Sequence, residues 1–199
     1  MKAGLRVVGG SLSGRRFSAP LGSRTRPTSE RAREGIFSAL DALGALEEAR
    51  VLDLFSGSGA LAIEALSRGA SMALAVEAHA ATCRLIRSNA DRLGLSSRLQ
   101  VLCCDLARPS AYAKISALDC AYDLVLADPP YALAELLCSM QTQLHQRELL
   151  KEGAILALEH PRKHPIMVED AYELLRSYRY GDAGMSVLSF RDKGEGRDE

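Results

Sequence analysis

No stretch of this chain approaches the roughly 18 uncharged apolar residues of a membrane-spanning helix, so no membrane segment is expected. The start, "MKAGLRVVGGSLSGRRF", is basic but lacks the unbroken apolar core of a secretion signal. Cysteine is sparse and odd in number: Cys83, Cys103, Cys104, Cys120 and Cys138, with no CxxC spacing. This argues against a disulfide framework or a zinc site and predicts reduced packing residues in a cytoplasmic protein without a metal. Internal repeats and low-complexity tracts are absent. Net charge is absent too, at zero over the whole chain.

What is present fits one soluble domain. The 199 residues are 47% hydrophobic and 25% charged, enough for a sizeable core. The zero charge hides an asymmetry. Residues 1–34 carry eight Lys/Arg (Lys2, Arg6, Arg15, Arg16, Arg24, Arg26, Arg31, Arg33) against Glu30 and Glu34, so a +6 head meets a −6 body. Such a head suits a polyanionic partner.

The head divides into "LRVVGG", the turn "SLSG" and "RRFSAP", a short hairpin with glycines at its bend. A basic loop, "SRTRPTS", precedes a helix that Thr28 or Ser29 can cap, with Ala32, Ile36, Phe37, Leu40 and Leu43 at helical spacing through about residue 46. From residue 50 strands and helices alternate. "RVLDLF", "MALAVE", "RLQVLCCD", "AYDLVLAD" and "GAILALEH" read as strands, and "GALAIEALSRG", "AATCRLIRSNADRLG" and "LAELLCSMQTQLHQRELL" as helices. That order predicts an α/β fold with a parallel sheet covered on both faces. "AYELLRSYRYG" and "MSVLSFRD", joined by "DAG", read as a closing antiparallel hairpin. The division is therefore an extension over 1–46, a catalytic domain over 47–191 and a disordered tail over 192–199.

Two motifs carry chemistry. In "VLDLFSGSGALAIEAL" Gly57 and Gly59 lie between strand and helix, where a ligand can approach the backbone; Ala62 takes the third place of a dinucleotide fingerprint. Asp53 stands four residues ahead of Gly57 and is poorly placed against a pyrophosphate, but well placed for a ligand bearing an ammonium and a sulfonium. Glu77, 20 residues after Gly57, can accept from ribose hydroxyls, and Asp105 from an adenine amine. Together the three acids outline a nucleoside pocket that suits S-adenosylmethionine better than NAD.

The second motif is Asp128-Pro129-Pro130-Tyr131, at the end of the fourth strand. An amine on a planar base is a poor nucleophile because its lone pair is delocalised. Accepting hydrogen bonds from both amine hydrogens pulls the nitrogen toward tetrahedral geometry. The Asp128 carboxylate and the Pro129 carbonyl supply two acceptors, the prolines remove competing N–H donors, and Tyr131 offers a stacking face for a flipped base.

"RVVGGSLSGRRF", "RPTSERARE", "VLDLFSGSGALAIEALSRGA" and "LVLADPPY", in this order and spacing, resemble the RsmD family of S-adenosylmethionine-dependent methyltransferases over about residues 5–190. The resemblance implies a Rossmann-like class I fold: a mostly parallel seven-stranded sheet with a terminal antiparallel hairpin, plus the N-terminal hairpin and helix. It implies methylation of the exocyclic N2 of a guanine in 16S ribosomal RNA, within a partly assembled small subunit, by a monomer. Asp53, Phe55, Gly57, Gly59, Glu77 and Asp105 would hold the cofactor. Asp128, Pro129, Pro130 and Tyr131 would form the catalytic loop, and Arg15, Arg16, Arg24, Arg26, Thr28 and Arg31 would meet RNA.

The DPPY tetrapeptide is shared by DNA adenine-N6 and cytosine-N4 methyltransferases. Those enzymes read sequence, usually through a further domain for which this chain has little room. An NAD-dependent oxidoreductase is disfavoured by Asp53, and a noncatalytic RNA-binding module has no use for Asp128. "HPRKH", His160 to His164, reads as a basic loop after the fifth strand that can touch phosphate. Asn89 is open to two readings, helix packing or substrate contact.

Overall fold

The computed structural model describes residues 4–20, 30–118 and 120–191, with the backbone but not the side chain of Tyr131. The extension contains β1 (Gly4–Arg6), β2 (Arg16–Ser18) and α1 (Glu30–Ala42). The alternating region follows as β3 (Arg50–Leu54), α2 (Ala60–Ser67), β4 (Met72–Glu77), α3 (Ala80–Leu93), β5 (Leu99–Cys103), α4 (Ser110–Ser116), β6 (Tyr122–Ala127), α5 (Leu136–Gln146) and β7 (Leu150–Pro161). It closes with β8 (Tyr172–Tyr180) and β9 (Ala183–Phe190).

Seven strands form one sheet in the order β5-β4-β3-β6-β7-β9-β8. The first five are parallel, and β9 enters antiparallel between β7 and β8. β1 and β2 pair separately. The strand order reverses between β3 and β6, the switch point at which open α/β sheets form crevices. This is the Rossmann-like class I fold expected above.

Strand alternation splits the core in two. Val51, Ala75, Leu124, Leu126, Ala157 and Val187 pack with α1, α2 and α3. Leu52, Val76, Val125, Leu156 and Leu188 pack with α4 and α5 on the other face. Near-continuous burial along β3, β4 and β6 follows from coverage on both sides.

The extension shares the first of these cores through Val7, Phe17, Ile36, Phe37 and Leu40. The buried Glu64 carboxylate on α2 holds it by accepting from the Gly9 amide at 2.6 Å and the Val8 amide at 2.9 Å. Arg68 pairs with Glu64 at 3.0 Å and reaches Glu34 and Asp41 on α1. Arg33, on α1 and 1% exposed, lies 3.7 Å from Glu64 and donates to the Arg6 carbonyl. Gly10 is required here: at φ +73 it packs so closely that a Cβ would fall 1.9 Å from the Ser67 carbonyl oxygen.

Several expectations need correction. The long helix is shorter than its apolar pattern, because Glu148 adopts φ 53 after α5 and Leu150 already opens β7. α4 is unanticipated; seven residues are too few for a periodic signal. His160 belongs to β7 rather than a loop, and its buried ring meets the Ser186 hydroxyl at 3.1 Å. Among the cysteines Cys83 and Cys104 are buried, whereas Cys103 and Cys138 are exposed and are not core residues.

Candidate active site

The strand registers bring the two motifs to one edge. Leu54 pairs with Val76 on one side and Ala127 on the other, so β3, β4 and β6 end level. The Phe55-to-Gly59 turn, Glu77 and Asp128 therefore emerge together at the carboxyl end of the sheet, at the switch point.

The turn is conformationally demanding. Phe55 has φ 60, which costs a non-glycine residue about 1–3 kcal/mol. Gly57 and Gly59 take φ 53 and 76, and a Cβ on Gly59 would come within 3.0 Å of the Ile86 side chain. Gly59 then serves as the N-cap of α2.

Glu77 clamps this turn. Its Oε2 accepts from the Gly57 amide at 3.0 Å and its Oε1 from the His79 amide at 2.8 Å. Each carboxylate oxygen has a second lone pair, so ribose hydroxyls can still be accepted. Asp105 lies two residues beyond β5, rather than at the strand's last residue. It is half-exposed, accepts from the Ala107 amide at 3.0 Å, and borders an open cavity of about 210 Å³ with Cys104, Arg108 and Lys114.

Asp53 is fully buried at the level below the turn. Its Oδ2 accepts from the Ala62 amide at 3.2 Å, while Oδ1 has no partner among the described residues. Burial raises this carboxyl to about 7; the Ala62 amide and the nearby Ser56 hydroxyl, which itself donates to the Asp53 backbone carbonyl, oppose the rise, and the Asp128 and Glu77 charges add to it. An orphaned buried acceptor beside a strained turn fits a cationic group, as the ammonium and sulfonium of S-adenosylmethionine provide. The residues present fit that cofactor.

Asp128 is half-buried immediately after β6, Pro129 is buried and Pro130 is exposed. The Pro130 carbonyl accepts from the Leu133 amide at 2.7 Å, closing a 3-10 turn over Tyr131–Leu133. The Pro129 carbonyl accepts no backbone hydrogen bond among the described residues. Asp128 and Pro129 thus present adjacent acceptors on a stiff turn. Among the described residues no three His, Cys, Asp or Glu side chains are grouped to hold a metal ion.

The basic residues are dispersed. Arg16 on β2 and Arg31 on α1 are exposed. Arg15 is exposed too, but its guanidinium donates to the Leu93 and Arg92 carbonyls at 3.1 and 2.8 Å, tying it to the end of α3. Arg24, Arg26 and Thr28 lie outside the described residues. Asn89 is 1% exposed and holds Ser18 by a reciprocal pair of 2.9 Å hydrogen bonds, so it docks β2 onto α3.

One acid at this edge is unanticipated. Glu159, near the end of β7, is partly buried, and burial followed by the Asp128 charge raises it to about 7. The signal was an acid closing the strand "GAILALEH", the same pattern that marked Asp53, Glu77 and Asp105.

Comparison with known proteins agrees with this geometry. Residues 5–191 match the family described as "Conserved hypothetical protein 95". "Putative rRNA methyltransferase YlbH" of Bacillus subtilis is 32% identical over 189 residues, covering 94% of this chain and 100% of that protein. "Ribosomal RNA small subunit methyltransferase D" of Haemophilus influenzae is 27% identical over 194 residues, covering 96% and 93%. Among solved structures, "Putative methyltransferase yhhF from Escherichia coli" superposes with a TM-score of 0.81 at 27% identity, over 95% of this chain and 99% of the other.

Proposed function

The chain belongs to the conserved hypothetical protein 95 family, the RsmD family, and from that premise we propose that it transfers a methyl group from S-adenosylmethionine to the exocyclic N2 amine of a guanine in small-subunit ribosomal RNA. The relatives' names supply the reaction class and the RNA. The base and its reacting atom come from the family resemblance and from the acceptor pair at Asp128 and Pro129. That pair, level with the Gly57–Gly59 turn, is the observation that carries the reading.

When bound, the cofactor supplies an electrophilic methyl group on a sulfonium. Gly57 and Gly59 leave room for its methionine part, Asp53 offers a buried acceptor to its positive charge, Glu77 takes the ribose and Asp105 the adenine amine. Asp128 and the Pro129 carbonyl accept the two amine hydrogens, drawing the nitrogen lone pair out of the ring. Holding amine and methyl donor in line supplies much of the acceleration. As the N–C bond forms and the sulfonium S–C bond breaks, the nitrogen loses a proton, for which the Asp128 carboxylate is the proposed acceptor. Tyr131 gives the flipped base a stacking surface, and exposed arginines of the extension meet phosphate.

The test supplies methyl-labelled cofactor to small ribosomal particles from cells lacking the gene, then identifies the labelled nucleoside by mass. N2-methylguanosine is expected. Labelled N6-methyladenosine, or label entering DNA instead, overturns the reading.

A further inference from the structure

Glu159 has no part in the proposed transfer, yet the sheet places it beside the residue that does. Ala127 on β6 pairs in parallel register with Leu158 on β7, so the next residues, Asp128 and Glu159, lie side by side across about 4.8 Å of strand spacing. Alternation puts both on one face. Leu126 and Ala157, each two residues earlier, belong to the core under α1 and α2, as does Met185, the partner of Glu159 on β9. The neighbouring His160 turns to the opposite face and is held by Ser186.

The surroundings make this position selective rather than merely wet. Glu159 is partly buried, and Tyr180 on β8 stands close enough for the carboxyl to influence its hydroxyl. Tyr180 in turn packs on α1, its hydroxyl 3.1 Å from where a Cβ on Gly35 would be. A carboxylate here is partly buried, with Asp128 beside it and Tyr180, which packs on α1 of the extension, close by. Burial and the Asp128 charge disfavour its ionised form in the free protein, and a hydrogen-bond donor arriving with the substrate favours that form, so accepting the donor is coupled to ionisation of Glu159.

Guanine brings such a donor. Beside its N2 amine the ring carries N1–H, whereas the ring nitrogen beside the N6 amine of adenine is an acceptor. We propose that Glu159 accepts the N1–H of the target guanine while Asp128 and Pro129 hold its N2 amine, making Glu159 the residue that selects guanine over bases with an unprotonated ring nitrogen. This rests on the guanine-N2 reading above and adds the base-selecting residue to it. Ionised, above its raised titration range, Glu159 only accepts, so a base presenting an acceptor at that place leaves two lone pairs facing each other. Sites that read a base or substrate through a buried polar group discriminate sharply for this reason.

The experiment is run at about pH 8.5, where Glu159 is a carboxylate, on reconstituted small-subunit particles with either guanine or 2-aminopurine at the nucleotide found to be labelled. 2-Aminopurine keeps the N2 amine but has a bare N1. The wild-type protein is expected to favour guanine in kcat/KM by at least tenfold. Glu159→Gln, whose amide can donate to N1, should reduce that preference at least tenfold, while Glu159→Asp keeps it. Cofactor binding measured by calorimetry on the same preparations reports that the site is folded. A guanine preference unchanged in Glu159→Gln, or no preference in the wild type, overturns the inference while leaving N2 methylation intact. A wild-type product other than N2-methylguanosine removes the parent reading, and this inference with it.

Discussion

The Glu77 carboxylate accepts a hydrogen bond from the Gly57 amide 3.0 Å away, joining the end of β4 to the glycine turn after β3. One side chain therefore both shapes the turn and ties two strand ends together. The second oxygen receives the His79 amide, which fixes the start of α3 as well. In the proposed role of ribose acceptor, Glu77 would also organise its own scaffold, which makes cofactor affinity and local order inseparable at this position. Asp128 follows β6 at the same sheet edge, and its variants test the proposed chemistry.

Asp128→Ala should lower methyl transfer by about 10²–10³-fold or more, by analogy with removal of one transition-state hydrogen-bond partner. Cofactor binding, followed by calorimetry, should stay within a few-fold of wild type. Asp128→Asn keeps an acceptor oxygen and should retain measurable activity. Wild-type turnover by Asp128→Ala would remove the acceptor-pair mechanism.

The extension is held by buried charge, and its energetics should be uneven. Glu64→Ala removes the acceptor of two backbone amides and leaves Arg33 buried without its counter-charge, an effect of about 3–5 kcal/mol in urea unfolding. Glu34→Ala removes a half-exposed carboxylate that pairs with Arg68 and accepts a long 3.5 Å contact from Ser38, and should cost less than about 1 kcal/mol. Equal losses in the two variants would show that Glu64 is not the anchor.

Asp53 gives a pH signature. Its folded value of about 7 lies above its ordinary value of 3.8, so the folded state binds the proton more tightly than the unfolded state. The contribution to stability is fully present below about pH 4 and is lost as pH rises toward 7. Glu159, also raised to about 7, acts in the same direction. A cationic ligand beside Asp53 favours the carboxylate, so cofactor binding near pH 6 should release a proton. Calorimetry in buffers of different ionisation enthalpy measures that release, and Asp53→Asn should abolish its Asp53 share. Identical proton release in the variant would place the cation elsewhere.

RNA binding should respond to Arg16 and Arg31. Both are exposed, whereas Arg15 also ties down the end of α3 and would confound the result. Arg16→Gln and Arg31→Gln should each weaken binding across RNA sequences and make the plot of log affinity against log salt shallower by about 1. A slope equal to wild type in the double variant would remove these residues from the RNA surface.

The amino-acid sequence by itself determined the alternating α/β order, the glycine turn, the terminal hairpin and the acids at the strand ends. These are local features: side-chain periods of two and 3.6, and turn chemistry within a few residues, express them directly. It also marked Asp128-Pro129-Pro130-Tyr131, because two prolines after a buried strand are conspicuous wherever the strand goes. Tertiary structure alone decided which distant residues meet. Asn89 could have faced substrate or packed; only the docking of β2 on α3 assigned it to Ser18. Arg15 read as an RNA contact, and the fold gives its guanidinium two carbonyls at the end of α3. The buried pairing of Arg33 with Glu64 needed α1 laid across α2, and no local pattern distinguishes a buried arginine from an exposed one. Glu159 beside Asp128 depends on the parallel register of β6 and β7, strands joined through α5. Register is set by the burial of both sheet faces at once, so that neighbour relation exists only when the whole core has formed.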